Sequence, residues 1–257
     1  MDERQRRRRK RRMRVYWMRA LTVVCALGIL TLLFLAGRGI WRLLRGDKQE
    51  TMAVSHEEQE LLDELKEQMN GKEFVLILDA GHGGNDVGTG DPDYYEKDIN
   101  MDIVGNMKEM LEYCGVDVML TRDGDETVAL EERSAQANES GADWFVSIHC
   151  NYCEEDASVA GLECYYWSDS VSGKAFAEKI VQSAEDSGQI AVRGIKTEDF
   201  HVLRETSIPA VLVETGYISN REDRKNLYDA DYQKTLSVYL VRGIIEGYLQ
   251  WTETVSD

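Results

Sequence analysis

Proline and histidine are both scarce in this chain of 257 residues. The two prolines, Pro92 and Pro209, exclude a long proline-rich linker between domains. Because there are only four histidines, a histidine at the end of a predicted strand is an uncommon event. No internal repeat is visible, and the length suits one sizeable domain with accessory segments, or two small domains.

Basic residues are scarce beyond position 50. Residues 1–50 contain 14 Lys and Arg against 4 Asp and Glu, whereas the remainder contains 16 against 43. A net charge of +10 is therefore followed by a net charge of −27. The acidic part argues against nucleic acid as a partner, because phosphate binding needs a basic surface.

One apolar run, residues 20–37, contains no charged side chain over its 18 residues. A helix of that length spans about 27 Å, close to the hydrocarbon thickness of a bilayer. Ten basic residues precede the run and only four follow it by position 48, so the positive-inside rule places the N-terminus in the cytoplasm. We predict a basic cytoplasmic tail over 1–19, an uncleaved single-pass signal anchor over 20–37, and a body on the extracytoplasmic side of the cell membrane. A cleaved signal peptide is the alternative, but no clear small-x-small site precedes a polar start.

The cysteines do not form a pattern that requires a disulfide or a metal. Cys114, Cys150, Cys153 and Cys164 lie in the predicted exported part, where they permit one or two disulfides. A zinc ribbon built on Cys150 and Cys153 needs a second close pair, and the two remaining cysteines are far apart in sequence. We expect a disulfide or packed thiols there rather than a metal site.

Residues 38–72 are polar and are predicted to form a stalk. Within them Leu61, Leu62, Leu65 and Met69 fall at helical spacing, which predicts a short amphipathic helix. A dimerising coiled coil is the alternative, although the run is short for one.

From residue 73 short apolar runs alternate with helical segments. Strands are predicted at 74–78, 116–120, 144–148, 162–166 and 210–213, and helices at 98–114, 130–138, 173–184 and 234–251. This alternation predicts a single three-layer α/β domain over 73–251, with a largely parallel central sheet flanked by helices. Residues 252–257 are predicted to be a short tail.

Three predicted strands end in side chains suited to metal chemistry. His82 follows the first strand, His149 follows the third, and Glu214 follows the last. In open α/β sheets, sites form beyond the carboxyl ends of the strands. A catalytic zinc ion typically takes three protein ligands, often two His and one carboxylate, together with a water whose proton a nearby carboxylate accepts.

The residues alone leave the third ligand open. The candidates near His82 are Asp86, Asp91, Asp93, Glu96 and Asp98. Glu96 is attractive because it lies at the start of the next helix, which would fold back over the end of the sheet. Taken singly, each site residue also has a structural explanation: His82 as a turn residue, Glu96 as a helix-start carboxylate, His149 as a core histidine and Glu214 as a surface charge.

The sequence also contains a series of motifs in an order that we recognise. They are Leu78–Gly84, Tyr95–Asn100, Thr121–Arg122, Ser147–Asn151 and Pro209–Asn220. With these motifs the chain resembles the type-3, zinc-dependent N-acetylmuramoyl-L-alanine amidases of the cell wall, over residues 74–250. The combination of motifs in order is far more specific than any one of them.

The resemblance implies the remaining assignments. His82, Glu96 and His149 are expected to bind one zinc ion, and Glu214 is expected to be the acid/base carboxylate. The implied reaction is hydrolysis of the amide between N-acetylmuramic acid and L-alanine in peptidoglycan. The alternatives are a non-catalytic peptidoglycan-binding module and a zinc hydrolase of another amide.

The chain departs from the family at a few places. Ala80 stands where many relatives have proline, and Cys150 and Cys153 stand where small residues are common. Residues 152–160 form a short stretch that leaves little room for the inhibitory helix that covers the zinc in some relatives, so we expect a site without such a cover.

Four further residues are candidates for substrate contacts or for support of the site. Arg122 and Arg133 are possible contacts for substrate carboxylates, although pairing with neighbouring acids is the favoured interpretation. Arg193 is another possible substrate contact, and Asn151 is expected to support His149 or to contact substrate. The expected partners are peptidoglycan, the membrane through the N-terminal helix, and an activator protein that the sequence does not identify.

Overall fold

The structure is a computed structural model that describes residues 54–91 and 94–255. The predicted tail over 1–19, the signal anchor over 20–37 and the first part of the stalk lie outside these residues. Within the described residues, no helix is long and apolar enough to cross a membrane.

The described chain forms seven helices and eight strands. In order they are α1 (His56–Met69), β1 (Val75–Ala80), β2 (Gly90–Asp91), β3 (Tyr94–Tyr95), α2 (Glu96–Tyr113), β4 (Asp117–Leu120), α3 (Leu130–Glu139), β5 (Trp144–Asn151), β6 (Leu162–Tyr166), α4 (Val171–Asp186), β7 (Val192–Thr197), α5 (His201–Arg204), β8 (Ala210–Tyr217), α6 (Arg221–Leu227) and α7 (Ala230–Val255).

Six strands form one central sheet in the order β4-β1-β5-β8-β6-β7, and β2 pairs with β3 separately. Within the central sheet only the β6–β8 pair is antiparallel; the other pairs are parallel. The α/β class is therefore confirmed. Strand β7 was not predicted, because its residues are polar and half-exposed at the edge of the sheet and do not form an apolar run.

Helices cover both faces of the sheet. Alternate residues of a strand point to opposite faces, and two apolar clusters result. The larger cluster contains Leu76, Val146 and Val213 of the sheet and packs with α1, α2, α4 and α7. The smaller contains Ile77, Phe145 and Leu212, with Ala137 of α3 and Leu203 of α5. The site lies on the sheet face that carries the smaller cluster and is covered by α3 and α5.

Helix α1 belongs to the folded domain. Ser55 and Glu58 form a capping box at its start, and Leu62, Leu65 and Met69 are buried in the larger cluster. This corrects the predicted stalk from His56 onward, because the amphipathic helix packs against α7 and α2. The same contacts occupy the apolar face that a dimerising coiled coil would need.

The four cysteines of the described part are free thiols. Cys114, Cys150 and Cys164 are buried, and Cys153 is partly exposed. Cys150 points away from His149 as strand alternation requires, and its Sγ lies 3.6 Å from Asn100 Oδ1. Packed thiols, one of the two expected arrangements, are therefore what the structure contains.

Candidate active site

Three side chains from three elements meet at the carboxyl ends of β1 and β5. His82 lies in the loop after β1, Glu96 is the first residue of α2, and His149 lies in β5. Their donor atoms all fall within 4.8 Å of one another. Glu96 Oε1 lies 3.2 Å from His82 Nε2 and 3.0 Å from His149 Nδ1. Two imidazoles and one carboxylate are a donor set that catalytic zinc uses.

Glu96 enters the site because α2 begins two residues earlier than the sequence predicts. Tyr95, the residue before the helix, makes no side-chain capping bond, so the usual start signal is missing. The Glu96 carboxylate is buried and accepts hydrogen bonds from the backbone N–H of Thr89 and of Cys150. Burial raises its pKa, but the two histidines outweigh burial and hold that pKa well below its usual range.

His82 is held in an uncommon backbone conformation. Its φ of 61° makes it the one non-glycine residue with positive φ in the described part of the chain. Its Nδ1 lies 2.9 Å from Asp86 Oδ2, which leaves Nε2 directed at Glu96. Burial lowers the pKa of His82, but Glu96 and then Asp86 outweigh that effect and raise it to about 9.

Two glycines make room for the cluster. A Cβ on Gly81 would lie 2.3 Å from the ring of His149, and one on Gly88 would lie 2.5 Å from Glu96 Oε2. No side chain fits at such distances, so glycine is required where the loop between β1 and α2 passes the site.

Glu214 lies beside this cluster on β8, as the register partner of His149 on β5. Both strands continue past the ends predicted from the sequence, so these two residues lie inside strands. Glu214 Oε2 is buried and has no hydrogen-bond partner in the described structure. Burial raises the pKa of Glu214 to about 7. A carboxyl group poised near neutral pH suits proton transfer, and its unpartnered oxygen fits a site that another group completes.

Two buried arginines hold the loop that carries His82. Arg122 donates to the carbonyls of Ala80 and Gly81, and Arg133 donates to the carbonyl of His82. Each arginine is 3% exposed. The guanidinium groups of Arg122 and Arg133 are thus bonded to backbone carbonyls and support the loop, and Arg133 also pairs with Asp79. A substrate contact by either arginine stays a prediction. Neither pairs with the acids next to it in sequence.

Asp79 is the partner of Arg133 and was not singled out from the sequence. It is fully buried in β1 and accepts from Arg133 Nη1 at 2.5 Å, Thr121 Oγ1 at 2.5 Å and Ser147 Oγ at 2.6 Å. A charged residue inside the apolar run Val75–Ala80 was the available signal, since a buried charge needs a partner.

The other two candidates, Arg193 of β7 and Asn151 of β5, both contact Glu163 of β6. Arg193 Nε donates to Glu163 Oε1 at 2.5 Å, and Asn151 Nδ2 lies 3.5 Å from Glu163 Oε2. The Asn151 amide oxygen accepts from Tyr152 N–H. The Asn151 side chain thus contacts Glu163 and Tyr152, and no hydrogen bond joins it to His149 in the described structure.

A cavity of 430 Å³ opens beside the cluster on the side of α3 and α5. Its wall includes Val128, Leu130, Arg133, Phe200, His201, Leu212 and Glu214. Residues 152–160 contain no helix, in agreement with the expectation that no inhibitory helix forms there. The cavity gives a substrate access to the His82 and Glu214 side chains.

Comparison with known proteins places this site in a family. The family described as N-acetylmuramoyl-L-alanine amidase matches residues 76–246, which contain all four site residues. The chain belongs to this family. Its members are hydrolases that act on an amide bond, and this chain is one of them.

Named relatives agree with this assignment. The sporulation-specific N-acetylmuramoyl-L-alanine amidase of Bacillus subtilis is 32% identical over 67% of this chain and 68% of its own length. The amidase AmiC2 of Nostoc punctiforme is 39% identical, with a TM-score of 0.65 over 69% of this chain and 97% of that one. The CwlD amidase of Clostridioides difficile, solved in complex with the GerS lipoprotein, is 30% identical with a TM-score of 0.63, over 68% and 98% of the two chains.

Proposed function

We propose that this peptidoglycan amidase cleaves the bond between N-acetylmuramic acid and L-alanine with one zinc ion held by His82, Glu96 and His149. Glu214 acts as the general base. The observation that carries the proposal is the meeting of a two-histidine, one-carboxylate donor set with a buried carboxyl group that has an unpartnered oxygen.

The residues present fit zinc. The donor set is a known catalytic one, Asp86 orients His82 through Nδ1, and the backbone around Gly81 and Gly88 leaves space for the cluster. When bound, zinc polarises a carbonyl group and lowers the pKa of a bound water to about 7.

The chain's own residues supply the proton transfers. Glu214 Oε2 accepts a proton from the attacking water and passes it to the leaving amine nitrogen, since no donor among the described residues occupies that oxygen. The apolar wall formed by Leu130, Phe200 and Leu212 limits access of bulk water to the reacting atoms.

The two alternative functions are less well supported. A non-catalytic wall-binding module would not need a buried carboxyl group aimed at a donor cluster. A hydrolase of another amide is separated from the proposal by identifying the product released from muropeptides.

Two further proposals concern the setting of the enzyme. The apolar run at 20–37 and its flanking charges support a single-pass anchor with the catalytic domain outside the cell. Protease added to intact protoplasts should degrade the domain, and protection of the domain would contradict this topology. The CwlD amidase, solved with a lipoprotein, supports a protein partner for this chain as well.

The test uses the full chain purified in detergent. We expect about one zinc per chain by mass spectrometry of metals, and release of stem peptide with a new N-terminal alanine from muropeptides. Glu214→Gln should retain zinc and lose peptide release, while Glu222→Gln, a control in the first turn of α6, should retain both. Folded protein that binds no zinc, or release of a different product, would overturn the proposal.

A further inference from the structure

A further buried carboxylate, Glu163, lies on the strand next to Glu214. It lies on β6 directly opposite Glu214 of β8 in the antiparallel pair. It is fully buried and points to the same sheet face as Glu214, because the two residues are register partners.

Both oxygens of Glu163 are fully used. Oε1 accepts from Arg193 Nε at 2.5 Å and from Lys196 Nζ at 2.6 Å. Oε2 accepts from the hydroxyls of Tyr165 at 2.6 Å and Tyr217 at 3.0 Å. These four donors leave Glu163 no capacity for substrate, so it acts as a fixed anchor for the groups around it.

The two cations carry more charge than Glu163 requires. One cation would neutralise the carboxylate, so Arg193 and Lys196 together leave a surplus of one positive charge. In the described structure no acceptor bonds to the Nη1 and Nη2 groups of Arg193. The Arg193 and Lys196 side chains are 38% and 43% exposed. Residues 51–257 carry a net charge of −27, so a surplus cation beside the site is unusual in this chain and favours an anionic group.

The distance from the reacting atoms restricts which anion fits. Neighbouring strands lie about 4.8 Å apart, so charged groups gathered on Glu163 lie roughly 5–10 Å from Glu214. An extended peptide advances about 3.5 Å per residue, so a carboxylate on the residue after L-alanine reaches about 7 Å from the scissile bond. The leaving peptide of peptidoglycan carries such a group where its second residue is joined through the γ-carboxyl and keeps a free α-carboxylate.

We propose that Arg193 and Lys196 form a subsite for this free α-carboxylate of the stem peptide, with Glu163 as the anchor that fixes both cations. The proposal rests on the proposed function. The guanidinium group uses Nε for Glu163 and presents Nη1 and Nη2 to the substrate, a geometry that suits a planar carboxylate. Lys196 contributes a second, less directional charge.

The test compares two N-acetylmuramoyl tripeptides that differ in one group. In both, the third residue is joined to the γ-carboxyl of the second; the α-carboxyl is free in one and a primary amide in the other. Binding to the full chain in detergent is measured by calorimetry with Glu214→Gln as the background, and cleavage is measured with the wild-type residue at 214.

We expect roughly tenfold tighter binding of the free acid, and a lower KM for it, in the unaltered subsite. Arg193→Gln should reduce this preference to about twofold or less, and Lys196→Gln should reduce it partly. Lys174→Gln, which removes an exposed lysine paired with Glu178 on α4, should leave the preference unchanged.

The outcomes separate the two proposals. Equal affinity for the two probes, or a preference that survives both Arg193→Gln and Lys196→Gln, overturns the subsite. Preferential binding that depends on Arg193 without any cleavage supports the subsite and overturns the proposed function. If Arg193→Gln does not fold, Arg193→Lys gives the test: it should keep charge but lose most of the preference, because lysine cannot present a planar pair of donors.

Discussion

Asp79 and Glu214 are carboxylates on the same face of the sheet, on the two strands that flank β5. Asp79 is fully buried, and Glu214 is partly buried with its Oε2 shielded from solvent. Asp79 has three donors, one of them the guanidinium of Arg133. Glu214 has one oxygen without any partner in the described structure. Burial therefore does not distinguish a structural carboxylate from a reactive one; the state of hydrogen bonding does.

Glu163 strengthens this contrast. It lies next to Glu214, yet its two oxygens are fully bonded, and those hydrogen bonds outweigh burial and lower its pKa. Glu214 lacks such donors, and burial raises its pKa to about 7. Adjacent carboxylates on one sheet thus differ in proton affinity because donors surround one of them and not the other.

The largest effect is expected from Glu214→Gln. Loss of the general base should lower kcat roughly 10²–10⁴-fold, while the thermal midpoint stays the same or rises, because an unpaired buried carboxyl group is removed. Turnover of muropeptide and thermal unfolding of the same preparation check both parts. A large fall in stability would place Glu214 with Asp79 among the structural carboxylates.

Asp79→Asn should give the opposite pattern. It leaves the buried Arg133 guanidinium without its counter-charge, so the free energy of unfolding should fall by about 3–5 kcal/mol. Asp186→Asn is the control, because Asp186 pairs with Arg242 at the surface at 3.4 Å and should cost less than about 1 kcal/mol. Denaturant unfolding measures both, and a loss below about 1 kcal/mol for Asp79→Asn would break the comparison.

Sequence pattern predicts most strands and helices and three of the four site residues. The fourth, Glu96, depends on the path of the loop that returns to the sheet after β1. Apolar periodicity predicted the main strands and helices, and strand-end position predicted His82, His149 and Glu214. The carboxylate between the histidines was left open by the residues alone, because the path of the loop from β1 to α2 determines that Glu96 is the one that returns.

The roles of the arginines depend on long-range contacts in the same way. Sequence does not reveal that Arg133 faces the carbonyls of a distant loop, so a substrate contact and pairing with neighbouring acids were the two roles considered, with pairing favoured. Helix α1 was read as a stalk because an amphipathic pattern shows which face is apolar without showing what covers it. In both cases the sequence shows the chemical character of the side chains but not which distant part of the fold they contact.

Ser147→Ala tests the hydrogen bonding of Asp79 with a smaller expected loss of stability. It removes one of three donors to Asp79 and should lower the free energy of unfolding by about 1.5–3 kcal/mol, the range for hydrogen bonds to charged groups. Ser172→Ala, in the first turn of α4, serves as the control, because the hydrogen bonds found in the described structure do not include one from the Ser172 hydroxyl. An unchanged stability would mean that Arg133 and Thr121 satisfy Asp79 without the serine.

The smallest effect concerns the protons that zinc displaces. Glu96 and Asp86 raise the pKa of His82 to about 9 against burial, which lowers it, so the His82 ring holds a proton throughout the neutral range. Zinc needs the deprotonated ring, and its affinity should therefore rise about tenfold per pH unit, or about 1.4 kcal/mol, between pH 7 and 8, and level off above about pH 9.

If His82 had its ordinary pKa of about 6.5, the zinc affinity would already have levelled off between pH 7 and 8. Calorimetry in buffers of different ionisation enthalpy should count at least one proton released per zinc at pH 7.5. Asp86→Asn removes one of the two acids that raise this pKa, so its affinity should level off at a lower pH. If the zinc affinity of the unaltered chain is flat from pH 7 to 9, Glu96 does not hold a proton on His82. The pKa values of Glu96 and Glu214 would then differ less than their hydrogen-bond partners indicate.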